Sequence, residues 1–128
     1  FFLRGLNASH ESEHFYKDRY ENKNEVNKQY PSAIHPIVRT HPVTKKKALY
    51  VNKFFTTRVE GLNIEESKLI LNYLFQHCEK TDFQIRYRWN ENDMAFWDNR
   101  CTLHKAIWDY HPMERKGRRV TIKGTIPY

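Results

Sequence analysis

The sequence predicts a β-rich α+β fold with one long helix packed on the strands, and three observations carry that prediction. Short runs such as Phe83, Ile85, Tyr87 and Trp89 alternate with polar residues at period two. A single stretch, 64–79, has helical period. No alternation of strand and helix is present that would build a parallel sheet. The chain has 128 residues, the size of one domain. Aromatics make up 15%, too rich for a disordered chain although 29% of residues are charged.

Residues 1–7 read as the last turns of a helix, with Leu3 and Leu6 on one side. Residues 8–34 are polar and without period, and are expected to be a loop or lid insert with one short helix at most. His35-Pro36 and His41-Pro42 bracket a short extended piece, Ile37–Thr40. Lys45–Lys47 follow Pro42 and Thr44 as a solvated turn, and Ala48–Val51 is the strand after it. Phe54 and Phe55 lead into Thr56–Val59 and a turn at Gly61. Asn63 is a good helix N-cap, with Glu66 three residues on. Ile70, Leu71, Leu74, Phe75 and Cys78 then form the apolar stripe, which makes Cys78 a core residue. Strands are expected at Phe83–Trp89, Met94–Trp97 and Val120–Ile122, with a turn at Asn90–Asp93.

Composition excludes several classes. No stretch approaches the ~18 apolar residues of a membrane span. The start FFLRGLNASH has neither the basic start nor the apolar run of a signal peptide. Cys78 and Cys101 fall short of a disulfide framework, so a cytoplasmic location is the expectation. The net charge of +7 invites a polyanion-binding reading. The basic residues are scattered, however, and no nucleic-acid motif accompanies them.

Three patterns could carry chemistry. His10-Glu11-Ser12-Glu13-His14 fits H-E-x-x-H, which on a helix would bind zinc with Glu11 as base. Its surroundings are polar almost throughout, so a solvated turn is the simpler reading. His77-Cys78-Glu79 fits H-x-E, but i and i+2 on a helix point to different sides and cannot converge on one ion. The third is Trp97-Asp98-Asn99-Arg100-Cys101-Thr102-Leu103-His104, followed by Arg115 and Arg119. Should this segment fold back, one imidazole and two guanidiniums would face one pocket. On the residues alone, three surface side chains are the simpler reading.

This third segment resembles the taurine and 2,4-D dioxygenase (TauD/TfdA-like) family. The family pattern W-D-N-R-x-T-x-H, then D-Y, then two arginines before a short strand, is matched by Trp97–His104, Asp109-Tyr110, Arg115, Arg119 and Val120–Ile122. Further matches are His35–Pro42, Ala48–Asn52, Phe55–Arg58 and Phe83–Trp89. The resemblance implies a double-stranded β-helix (jelly roll), of which residues 1–128 are the C-terminal portion. It implies Fe(II) as cofactor and 2-oxoglutarate as cosubstrate, which is decarboxylated to succinate while O2 hydroxylates a small anionic substrate. A sulfonate such as taurine leads, its hydroxylated product falling apart to an aldehyde and sulfite; alkyl sulfates, aryloxyacetates and xanthine are rivals. By resemblance, His104 is a metal ligand, Arg115 holds 2-oxoglutarate, Arg119 faces the acidic group of the substrate, and Phe55 lines the substrate pocket. Neutral imidazole suits iron, and the rigid fork of arginine suits carboxylate or sulfonate. Neither nucleic acid nor membrane is an expected partner; a homo-oligomer is left open.

The chain departs from the family at one point. The family's other two ligands form an H-x-D or H-x-E pair upstream. His10, His14, His35 and His41 are followed two residues on by Ser12, Tyr16, Ile37 and Val43. One imidazole does not close a facial triad of two histidines and a carboxylate. With Phe1 rather than Met at its start, the chain is expected to be part of a longer enzyme, inactive alone, with the missing pair before Phe1; a decayed relative is the alternative.

Overall fold

In the computed structural model, residues 2–20 and 29–128 are described, with side chains in 2–17 and 29–128. A short 3-10 helix, Phe2–Gly5, precedes β1 (Asn7–Glu11) and α1 (Glu13–Tyr20). β2 (Ser32–Pro36), β3 (Val38–Thr40), β4 (Lys47–Leu49) and β5 (Thr56–Val59) follow, then α2 (Ile64–Cys78). A second 3-10 turn, Thr81–Phe83, ends the regular structure.

β1 is the centre of a three-stranded antiparallel sheet, order β2-β1-β5. Ala8 lies opposite His35 on one side and Val59 on the other. The ladder with β5 shifts between Ser9 and His10, so that His10 faces Thr56. β3 and β4 form a separate hairpin, Arg39 opposite Ala48. Its turn is closed by the His41 N–H on the Lys46 carbonyl (2.8 Å) and the Lys45 N–H on the His41 carbonyl (2.9 Å). Lys45 takes φ 60° there, a left-handed turn conformation rare for a residue with a side chain.

α2 forms where its pattern places it. Asn63 accepts from the Glu66 N–H (2.9 Å), and Glu66 accepts from the Asn63 N–H (3.1 Å), so two N-terminal donors are satisfied reciprocally. Leu71 and Leu74 are buried, and Ile70, Phe75 and Cys78 pack against the core around them. That core consists of Ala8, Ile37, Val51, Val59, Leu71 and Leu74. Ser67 adds a polar tie: its buried hydroxyl accepts the Val59 N–H at 2.8 Å, fastening α2 to the end of β5.

Three expectations need correction. Residues 1–7 hold a 3-10 turn and the start of β1 rather than the end of an α-helix. The expected loop 8–34 contains the central strand β1, α1 and the first residues of β2; residues 21–28 lie outside the described residues. Asn7–Glu11 has a single apolar residue and low strand propensity. It is a strand because two neighbours pair with it. Conversely, the expected strands Phe83–Trp89, Met94–Trp97 and Val120–Ile122 join no ladder among the described residues. Phe83 (63%), Ile85 (95%), Tyr87 (54%) and Trp89 (52%) are all exposed, so both faces of that run meet solvent. Alternation prepares one face for burial, but a strand also needs a neighbour to accept its N–H groups. The sheet-rich character with one long helix therefore holds in the described body, while these segments do not close a double sheet.

Candidate functional site

The motif residues lie on the extended C-terminal segment. His104 is exposed, its ring centroid 4.9 Å from that of Trp97. Arg115 is exposed, with its guanidinium carbon 5.8 Å from the Tyr110 ring centroid. Arg119 is exposed as well. Among the described residues, no hydrogen bond or ion pair joins His104, Arg115 and Arg119 to one another. Phe55 sits apart on the folded body, half-buried, with its ring 5.1 Å from Phe15 and 6.0 Å from Tyr16. The sequence thus names four residues that this chain does not gather into one pocket.

The H-E-x-x-H pattern is not on one helix. His10 and Glu11 end β1, while His14 lies in α1, so the shared helical face that zinc needs is absent. His10 instead belongs to a half-buried cluster: its ring centroid is 5.2 Å from His35 and 5.6 Å from Tyr50. Thr56 Oγ1 accepts the Asn52 N–H at 2.8 Å and lies 3.3 Å from His10 Nδ1, so its hydroxyl hydrogen is free to donate to that nitrogen. Burial first, and the neighbouring His35 second, lower the His10 pKa from 6.5 to about 4. Burial, then Arg39, also lowers that of His35. Arg39 is buried beside them with its guanidinium carbon 4.8 Å from the Tyr50 ring centroid. His77 ends α2 against the Phe83 ring (5.2 Å), and Glu79 caps the helix beyond it. The H-x-E pair is therefore helix-terminal structure.

A network missing from the sequence reading connects the body to the motif. His41 is 7% exposed. Its Nδ1 accepts the backbone N–H groups of Val43 (3.3 Å) and Thr44 (3.1 Å). That assigns the ring hydrogen to Nε2, which donates to Asp98 Oδ2 at 3.0 Å. The Arg100 guanidinium grips the same carboxylate, Nε on Oδ1 (2.8 Å) and Nη2 on Oδ2 (2.6 Å). Arg100 foremost, and His41 next, hold the Asp98 carboxyl well below the usual carboxylate range. The Asp98 carbonyl accepts the N–H of Cys101 (3.2 Å) and of Thr102 (3.1 Å), and the Thr102 hydroxyl. The only sequence signals for this are two weak ones, the buried-type His-Pro pair and Asp98-x-Arg100.

His41, Asp98 and Cys101 place their donor atoms within 4.8 Å of one another, close enough to suggest a metal centre. The hydrogen bonds argue otherwise. The Nε2 lone pair is taken by hydrogen, and both Asp98 oxygens are engaged by Arg100. For a mononuclear Fe(II) site of two histidines and a carboxylate, the chain offers the exposed imidazole of His104 as one fitting donor. Arg115 offers a guanidinium of the kind that pairs with a carboxylate of 2-oxoglutarate.

Comparison with known proteins agrees with the motif. Residues 1–121 match the model of the taurine catabolism dioxygenase TauD, TfdA family. The chain is 36% identical to an alpha-ketoglutarate-dependent sulfonate dioxygenase of Saccharomyces cerevisiae, over 98% of this chain and 31% of that protein. It is 38% identical to an alpha-ketoglutarate-dependent sulfate ester dioxygenase of Pseudomonas putida, over 73% of this chain and 31% of that protein. Among solved structures, a taurine dioxygenase from Burkholderia xenovorans superposes with a TM-score of 0.55 at 27% identity, covering 70% of this chain and 27% of that one. The chain spans about a third of the length of the curated relatives it matches. Among the described residues no helix is long and apolar enough to cross a membrane. With a family match over nearly its whole length and the W-D-N-R-x-T-x-H motif in place, this chain belongs to the TauD/TfdA dioxygenase family.

Proposed function

We propose that the chain is the C-terminal portion of an Fe(II)- and 2-oxoglutarate-dependent dioxygenase, a jelly-roll enzyme that hydroxylates a small organic sulfonate or sulfate ester. The observation that carries this is the conjunction of His104, Arg115 and Arg119 at family spacing inside a segment the family model matches. The printed names of the yeast and Pseudomonas relatives support the anionic sulfur substrate. His104 would supply one imidazole to the metal. When bound, iron with 2-oxoglutarate and O2 would supply the oxidising chemistry, 2-oxoglutarate being converted to succinate and CO2.

The residues of this chain bind and orient. Arg115 pairs with the distal carboxylate of 2-oxoglutarate through a two-pronged, charge-assisted contact. Arg119 would take the sulfonate or sulfate oxygens and orient the substrate. In the whole enzyme Phe55, which packs on Phe15 and Tyr16 in this chain, would supply an apolar wall to the substrate pocket and exclude water from it. The +7 charge serves to attract both anions.

In the full-length protein, His104→Ala is expected to abolish substrate-dependent formation of succinate, measured with taurine and with an alkyl sulfate. Turnover equal to that of the unaltered enzyme would sink the reading.

A further inference from the structure

We propose that His41 is a positioning residue for the segment that carries His104. The inference rests on the reading of His104 as a metal ligand and goes beyond it, by naming what holds that ligand's segment on the folded body. His41 belongs to the body: it is buried, in the β3–β4 turn, next to Thr40 on β3. Asp98 belongs to the motif segment, 57 residues on. Among the described residues, their 3.0 Å contact is one of two hydrogen bonds that fasten this segment to the β3 end of the body. The other is the Thr40 N–H on the Tyr128 carbonyl, at 2.6 Å.

Each side of the contact is prepared for it. On the body side, the Val43 and Thr44 N–H groups occupy Nδ1 and fix both the ring plane and the tautomer, so that Nε2–H projects toward Asp98. On the segment side, Asp98 organises its own turn. Its carboxylate accepts the Arg100 N–H (2.8 Å) and the Arg100 guanidinium, and its carbonyl accepts from Cys101 and Thr102. The turn so formed ends two residues before His104, and the Trp97 ring beside Asp98 packs against the His104 ring. Moving Asp98 therefore moves the whole unit Trp97–His104. His41 touches neither metal nor substrate; it acts through Asp98.

Three variants of the full-length protein separate this role from simple packing. Gln at position 41 reaches Asp98 with its amide N–H but offers nothing in the place of Nδ1. Asn offers a carbonyl near the place of Nδ1 but does not reach Asp98. Ala does neither. The first readout is the Kd for Co(II) added alone. His41→Asn and His41→Ala are expected to weaken it about 10-fold, the lower end of what outer positioning groups contribute, and His41→Gln to stay close to the unaltered protein. The second is the long-range proton–nitrogen NMR spectrum of the full-length protein, expected to show the Nε2–H tautomer for His41 and its loss of protection in Asp98→Ala. Equal Co(II) binding by Gln and Asn variants, or an Nδ1–H tautomer, overturns the proposal. If His104→Ala leaves Co(II) affinity and turnover intact, it is the metal-ligand reading that fails. If His104→Ala loses both while His41→Asn binds Co(II) normally, the positioning role alone is wrong.

Discussion

Lowering the pH should destabilise the fold through His10. Its ordinary pKa is 6.5, and in the folded chain burial and then His35 lower it to about 4. The folded state thus keeps His10 neutral where the unfolded state protonates it. The unfolded state binds more protons between those two values, so stability is full above 6.5 and is lost as the pH falls toward 4. At about 1.4 kcal/mol per unit, going from about pH 7 to about pH 5 would remove roughly 2 kcal/mol from a dry site. His10 is only half-buried, and solvent screening reduces this to about 1 kcal/mol. His35, lowered in the same direction, adds to the slope. The assay is urea denaturation of the chain at the two pH values, followed by the far-ultraviolet signal of α2. His10→Asn removes the titrating group and should flatten most of the pH dependence. An equal slope in the variant, or an NMR titration of His10 with its midpoint near 6.5, would refute the argument.

Two further outcomes test the packing that supports the site. Leu74→Ala empties a 2% exposed position between α2 and the sheet and should cost about 3 kcal/mol in urea midpoints; a loss below 1 kcal/mol, on the order of a surface change, would mean α2 is not packed as described. Ser67→Ala strands the buried Val59 N–H and should cost about 1–3 kcal/mol, with faster amide exchange at Val59 as the local check.

What could be read from the residues was local chemistry and local period. Asn63 and Glu66 cap α2 within three residues of each other, and the stripe from Ile70 to Cys78 names its buried face. The W-D-N-R-x-T-x-H run with Arg115 and Arg119 identifies the family, because many residue types agree at fixed spacing. These signals live within a few positions of one another, and no distant partner is needed to express them.

Tertiary structure decided the rest, wherever the deciding partner lies far along the chain. Asn7–Glu11 is nearly featureless, yet it is the central strand because Ser32–Pro36 and Thr56–Val59 flank it. Phe83–Trp89 has the better strand pattern and forms none, because its backbone finds no neighbour among the described residues. His10 looked like half of a zinc motif and is instead a neutral, half-buried partner of Thr56 and His35. His41 meets Asp98 across 57 residues. By itself the sequence determined the helix, the core stripe and the family, because those depend on spacing along the chain. Only the tertiary structure decided which strand is central and which histidine steadies the motif, because burial and hydrogen bonding depend on who arrives from elsewhere.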